Sequence, residues 1–156
     1  MFLLRVATAL RDASVPYAIA GGYAVALHGA VRGTVDIDLV INQREKDYVA
    51  VERALASIRL APRLPVSAKE MFQFRAEYIS KRNLLAWSFY NPSAPAELVD
   101  ILIGEDLKSI KVETMHVQGE LVRVISRKDL IRLKQKAGRA QDLEDVRALS
   151  ILGKKR

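Results

Sequence analysis

Two aspartates one residue apart, Asp36 and Asp38, are the side chains of this chain best suited to chemistry. A strand repeats every two residues, so on a strand both carboxylates point to one face and Ile37 to the other. Side by side they repel each other, and a dication between them removes the repulsion. Mg2+ takes sparse carboxylate ligation and completes its shell with water and substrate phosphate. A glycine pair, Gly21-Gly22, stands upstream, with thirteen residues between it and Asp36. Glycines at a helix start present bare backbone N–H groups, where an anion is welcome. Together these parts describe a site for a metal-bound nucleoside triphosphate. A third carboxylate, Asp100, sits in the middle of the apolar run Leu98-Val99-Asp100-Ile101-Leu102-Ile103. Such a carboxylate is costly unless a cation accompanies it. If its strand lies beside that of Asp36 and Asp38, the three converge and suffice for two Mg2+ ions. An acceptor hydroxyl would then attack the α-phosphorus in line and pyrophosphate would leave. Asp100 would bind a metal or take the proton. The rival readings are a solvated strand end for Asp36 and Asp38, and an ion pair with a residue such as Arg32 for Asp100.

Other residues have weaker claims. Arg32 could neutralise phosphate as a bidentate donor, or pair with a carboxylate. Thr34 shares the face of Asp36 and Asp38 if the strand begins that early, and is equally a β-branched strand starter. Lys134, on a helix before Gly138, could reach the triphosphate as a point charge, or be solvated. Arg139, Asp142 and Asp145 read as a cap and ion-pair network at a helix start. His28 is explained by a helix end or a hydrogen bond. Trp87, Phe89 and Tyr90 read as core packing, with base stacking as the alternative.

The elements that must position these residues follow from periodicity and punctuation. Leu3, Val6, Ala7 and Leu10 recur at helical spacing, and that helix ends before Pro16. Tyr17 to Ala20 suits a buried strand, followed by the glycine turn and a short helix, Tyr23 to Leu27. Val35 to Ile41 is predicted as a strand, Lys46 to Ile58 as a helix, and the segment around Pro62 and Pro65 as a loop. Ser67 and Glu70 form a capping box for a helix to about Ile79. Strands are predicted over Leu84 to Tyr90 and Leu98 to Ile103, with a helical turn within Glu105 to Ile110. Val112 to Val117 and Leu121 to Ile125 make a hairpin around Gln118-Gly119. Ser126 caps a helix through Ala137, and a last helix runs from Asp142 to Leu152. The basic tail, Lys154-Lys155-Arg156, is expected to fray. The mixture predicts an α/β (α+β) fold, a mixed β-sheet flanked by helices.

The 156 residues suit one domain, with the helices of about residues 126–152 packed on it. Half of the residues are hydrophobic, which is a globular composition. An excess of 25 basic over 18 acidic residues gives +7 and favours polyanionic partners. The chain has no cysteine and two histidines, which excludes disulfides, thiol nucleophiles and a His-rich zinc site. No segment is apolar enough to span a membrane, and the N-terminal segment reads as a core helix rather than a signal, so the chain is expected in the cytoplasm.

The piece Ala20-Gly21-Gly22, followed at the stated spacing by Asp36-Ile37-Asp38-Leu39, resembles the signature of the DNA polymerase β-like nucleotidyltransferase superfamily. Arg32-Gly33-Thr34-Val35-Asp36-Ile37-Asp38 is similar to the form found in small bacterial members of the AbiEii/AbiGii toxin type, with lincosamide nucleotidyltransferases more distant. Ser126 to Leu130, Lys134, and Ala137 to Asp145 also resemble that bacterial group. The resemblance implies a nucleotidyltransferase fold. It implies Gly21 and Gly22 against the triphosphate, and Asp36, Asp38 and Asp100 as the catalytic and metal-binding carboxylates. Gly22 stands where the family often has Ser, which removes a hydroxyl but leaves the amide. Larger relatives carry a further helical domain for the acceptor, so acceptor binding here is expected to involve a partner or an oligomer.

Three classes of function therefore compete. The first is an Mg2+-dependent enzyme (two ions, with Mn2+ as substitute) that moves an NMP from an NTP to a hydroxyl. Its acceptor would be RNA or a tRNA end, a protein or a small molecule. The resemblance places such an enzyme in a toxin–antitoxin or phage-defence setting with an antitoxin partner. The second is a non-catalytic module that binds nucleotide, RNA or protein. The third is a DNA-binding regulator with a helix-turn-helix around Gly138.

Overall fold

The computed structural model describes residues 1–34 and 36–154. The predicted strand start at Val35 and the tail residues Lys155 and Arg156 lie outside the described residues. In chain order the elements are α1 (Phe2–Asp12), β1 (Tyr17–Ala20), α2 (Gly21–Leu27), β2 (Ile37–Ile41), α3 (Glu45–Ala56), β3 (Ala61–Pro62) and α4 (Ala68–Arg82). They continue with β4 (Ala86–Asn91), β5 (Ala94–Leu102), a 3-10 turn (Leu107–Ser109), β6 (Val112–Val117), β7 (Glu120–Ile125), α5 (Arg127–Ala137) and α6 (Ala140–Lys154). The strands form one mixed sheet in the order β3-β4-β5-β2-β1-β7-β6. β2 pairs parallel with β5 and antiparallel with β1, and β1 pairs parallel with β7. This is the mixed α/β architecture expected.

Local chemistry explains most boundaries. Ser67 accepts from the Glu70 amide while the Glu70 carboxylate accepts from the Ser67 amide, so α4 starts at a complete capping box. α4 runs past Ile79 to Arg82 and stops where Asn83 adopts a left-handed φ of 50°. Ser126 caps α5 by accepting from the Asp129 amide. Two expectations were incomplete. The proline loop contains a two-residue edge strand, β3, in which Pro62 is tolerated because edge positions do not all need an N–H. β5 begins at Ala94 rather than Leu98, because a tight turn at Pro92-Ser93 returns the chain directly beside β4.

The two faces of the sheet differ. Trp87 and Phe89 on β4 are fully buried, and Trp87 stacks on Tyr48 of α3 with ring centroids 5.3 Å apart. Tyr48 in turn meets Phe72 of α4 edge-on at 5.4 Å. That face is therefore the core side, where Ile37, Leu39, Val99 and Ile101 are also fully buried. The opposite face is covered by α2 over β1 and β2, with α5 packed on α2 and α6 on α5. Over β4 and β5 that face stays partly open: Ala86, Ser88, Tyr90, Leu98, Asp100 and Leu102 are all only partly buried. The alternation along β4 is strict, which is the pattern of a strand with one wet face.

Candidate active site

The site forms where the covered and open halves of that second face meet. β2 and β5 are parallel neighbours, and Asp38 stands directly opposite Asp100 in the register. Residues paired in this way project to the same face, so the two carboxylates are cross-strand neighbours. Asp36 lies just before β2, which begins at Ile37, and is partly buried. Its charge reaches both of the others, since it opposes ionisation of Asp38 and of Asp100. Burial, then the neighbouring charge of Asp100, pushes the Asp38 carboxyl up to about 7, against the pull of Lys134. Burial also holds Asp100 above the usual carboxylate range, partly offset by the hydrogen bond from Ser88.

The glycine pair abuts these groups. Gly21 has φ +62°, and a Cβ placed on it would stand 1.8 Å from Oδ2 of Asp38. Only glycine lets the backbone approach that carboxylate so closely. A Cβ on Gly22 would stand 2.8 Å from Oγ1 of Thr34 and 3.4 Å from Cζ of Arg32. Gly21 thus lies against Asp38, and Gly22 against Thr34 and Arg32. Gly21 and Gly22 open α2 themselves, two residues earlier than the helix start expected.

The cations are held differently from expectation. Arg32 pairs with Asp145 at 3.1 Å, not with Asp100, and also donates to the carbonyl of Gly33. Lys134 is not solvated: it is 7 % exposed and lies 3.1 Å from Asp142 and 3.0 Å from Asp145. Arg139 donates to Asp142 through its amide at 3.2 Å and through its guanidinium at 2.7 Å, which makes the expected cap. Burial works to raise the Asp142 carboxyl, but hydrogen bonds from Arg139 and Lys134 outweigh it and hold it below its ordinary range. The result is an alternation of three cations and two buried carboxylates, with Lys134 buried between them, that links α5 to α6 beside Asp38. The sequence signal for it was the acidic pair spaced three apart at the start of α6, whose reach to Lys134 and Arg32 depends on helix packing. Ser88 was also missed. Its hydroxyl donates to Oδ1 of Asp100 at 2.6 Å from the directly opposed position on β4.

Among the described residues no three carboxylates or imidazoles are gathered closely enough to ligate one ion as they stand. Asp100 is instead held by the hydrogen bond from Ser88. The donor set still suits a hard cation, because it is all oxygen and places Asp38 opposite Asp100. His28 is not part of the site; its Nε2 lies 2.8 Å from the carbonyl of Ile125. A groove of about 690 Å³ between α1 and α3, lined by Leu4, Thr8, Arg53 and Ile58 among others, contains none of the site residues. Among the described residues no helix is long and apolar enough to cross a membrane.

Comparison with known proteins bears on the family and the fold. Residues 2–79, half of the chain, match the family model described as aminoglycoside-2''-adenylyltransferase. Comparison with curated proteins finds no match. The fold is similar to that of an antigenic nucleotidyltransferase-like protein from Paracoccidioides brasiliensis, with 20% identity, 94% of this chain and 72% of that one covered, and a TM-score of 0.58. It is similar to ANT(2'')-Ia in complex with adenylyl-2''-tobramycin, with 14% identity, coverage of 94% and 84%, and a TM-score of 0.62. It is also similar to the lincomycin-bound lincosamide antibiotic adenylyltransferase LnuA, with 14% identity, coverage of 97% and 96%, and a TM-score of 0.62.

Proposed function

The chain belongs to the aminoglycoside-2''-adenylyltransferase family, and from that premise we propose that it transfers an NMP from an NTP to a hydroxyl acceptor at Asp36, Asp38 and Asp100. The observation that carries this reading is the direct opposition of Asp38 and Asp100, with the Gly21 backbone against the Asp38 carboxylate. The triphosphate lies on the α2 side. There the backbone of Gly21 and Gly22, the Thr34 hydroxyl, and the cations of Arg32 and Lys134 face its oxygens. The acceptor lies on the open side, over β5 and β4. Its hydroxyl oxygen bonds to the α-phosphorus, the bond to pyrophosphate breaks, and the hydroxyl proton passes to Asp100. Asp36, Asp38 and Asp100 are the residues that would hold Mg2+ (two ions, or Mn2+ in their place). Bound there, the metal would neutralise triphosphate charge and make the acceptor hydroxyl more acidic. Ser88 orients Asp100, and the Asp142/Asp145 pair orients Lys134 and Arg32.

Small molecules such as the antibiotics named for the relatives, RNA or tRNA ends, and protein hydroxyls are the candidate acceptors. The test is pyrophosphate release from mixed NTPs with each acceptor class, with and without Mg2+. Wild type is expected to release pyrophosphate, and Asp38→Ala to lose at least about a hundredfold, since even residues behind a metal's ligands are worth up to that. NTP binding without turnover on any acceptor would leave the binding module instead. A finer reading, a toxin of the AbiEii/AbiGii type with an antitoxin partner, rests on the resemblance of Ser126 to Asp145. That segment lies beyond the residues matched by the family model and supplies Lys134, Asp142 and Asp145 to the site. It predicts that expression arrests growth and that Asp38→Ala does not.

A further inference from the structure

The acceptor side of the site has a composition of its own. On the open half-face, β4 and β5 present Ala86 opposite Leu102, Ser88 opposite Asp100, and Tyr90 opposite Leu98. Asp100 is the only acidic residue among these six. The chain entering from β3 adds a cation: the Arg63 amide donates to the Ser88 carbonyl at 2.9 Å, which fixes Arg63 beside this strip. Its guanidinium carbon lies 5.9 Å from the centroid of the Tyr90 ring. Arg63 is exposed, and among the described residues it forms no salt bridge. Tyr90 and Ser88 are two residues apart on one face, about 7 Å. An acceptor with its hydroxyl at Asp100 therefore reaches a partly exposed aromatic ring and the Arg63 guanidinium beside it.

We propose that the acceptor of this chain carries a phosphate beside the reacting hydroxyl, held by Arg63, with its sugar or base against Tyr90. The inference rests on the transfer reading above and names its substrate class. A polycationic aminoglycoside fits poorly, because its ammonium groups would need carboxylates and would meet Arg63 instead. A nucleoside monophosphate and the end of an RNA strand share the required chemistry. Arginine suits it, because its fork matches two phosphate oxygens.

The test measures labelled NMP transfer by the full chain to four acceptors: a nucleoside 5'-monophosphate, its dephosphorylated nucleoside, a short RNA and an aminoglycoside. Wild type is expected to favour the phosphorylated acceptors over the nucleoside and the aminoglycoside by roughly tenfold or more in kcat/KM. RNA labelled in preference to the mononucleotide, or the reverse, identifies the source of the phosphate. In Arg63→Glu the preference collapses through acceptor KM, while Arg63→Lys, which keeps a point charge, retains part of it. Wild type labelling the aminoglycoside or the nucleoside equally well overturns this inference and leaves the transfer reading standing. An unchanged preference in Arg63→Glu does the same. No transfer to any acceptor, by a protein that binds NTP, overturns both.

Discussion

Replacing Asp38 by Asn should make the metal-free protein more stable while abolishing its activity. The ionised Asp38 carboxylate is partly buried, faces Asp100 across two parallel strands, and feels Asp36 as well. Its carboxyl is pushed from 3.8 up to about 7. At roughly 1.4 kcal/mol per tenfold change in proton affinity, that corresponds to about 4 kcal/mol against the ionised form well above neutrality. The group keeps some contact with solvent, so screening reduces the figure to on the order of 2 kcal/mol. The sign follows from the direction of the shift. A carboxyl whose folded pKa is raised binds more protons folded than unfolded, so stability falls as pH rises from about 4 through 7. An amide has the same shape and no charge, so it escapes that loss. Thermal unfolding with EDTA at pH 8 should place Asp38→Asn above wild type by roughly 4–8 °C, the shift expected for such a change in a domain of this size. The gap should close toward pH 4.5. Adding Mg2+ with NTP at pH 8 should raise wild type and not the variant, because only a ligand of the folded state stabilises it. An Asp38→Asn protein no more stable than wild type at pH 8, or a gap that ignores pH, refutes the reasoning.

Three other perturbations test separate parts of the structure. Gly21→Ala must hold a left-handed φ, at about 1–2 kcal/mol, and its methyl displaces the Asp38 carboxylate; urea unfolding should show at least that loss, and wild-type NTP affinity in the variant would contradict the close approach. Lys134→Met removes the cation that Asp142 and Asp145 share while Arg139 and Arg32 still pair with them, and should cost about 1–3 kcal/mol, with part recovered in the double variant carrying Asp145→Asn. Absence of that recovery would show that the charges are not coupled. Ser67→Ala removes the α4 capping box far from the carboxylates and should cost about 1 kcal/mol in denaturant unfolding with transfer activity unchanged.

Much of the fold was legible in the sequence because its signals are local. Tyr17 to Ala20 is a short apolar run, Ser67 and Glu70 are a cap three residues apart, and Gln118-Gly119 is a hairpin turn. Each is decided by neighbours within a few positions, and each appears where expected. The proximity of Gly21 and Asp38 was also legible, because the helix and loop between them leave a short return path. β3 and the first half of β5 were not legible: Pro62 and Pro95 argue against strands, and only pairing with β4 makes those segments extended.

The residue types and spacing alone determined that Asp38 on a strand would stand beside a glycine turn, since strand alternation and the backbone freedom of glycine are properties of the local chain; Asp36 falls just before that strand. They left open which groups meet across long separations. Tertiary structure decided that Ser88, not Arg32, holds Asp100, that Arg32 goes to Asp145, and that Lys134 is buried between two aspartates instead of solvated. Those choices depend on which strands become neighbours and how α5 and α6 seat against α2. An ion pair carries no signature in the sequence of either partner, because a charge is satisfied equally well by water until packing removes the water.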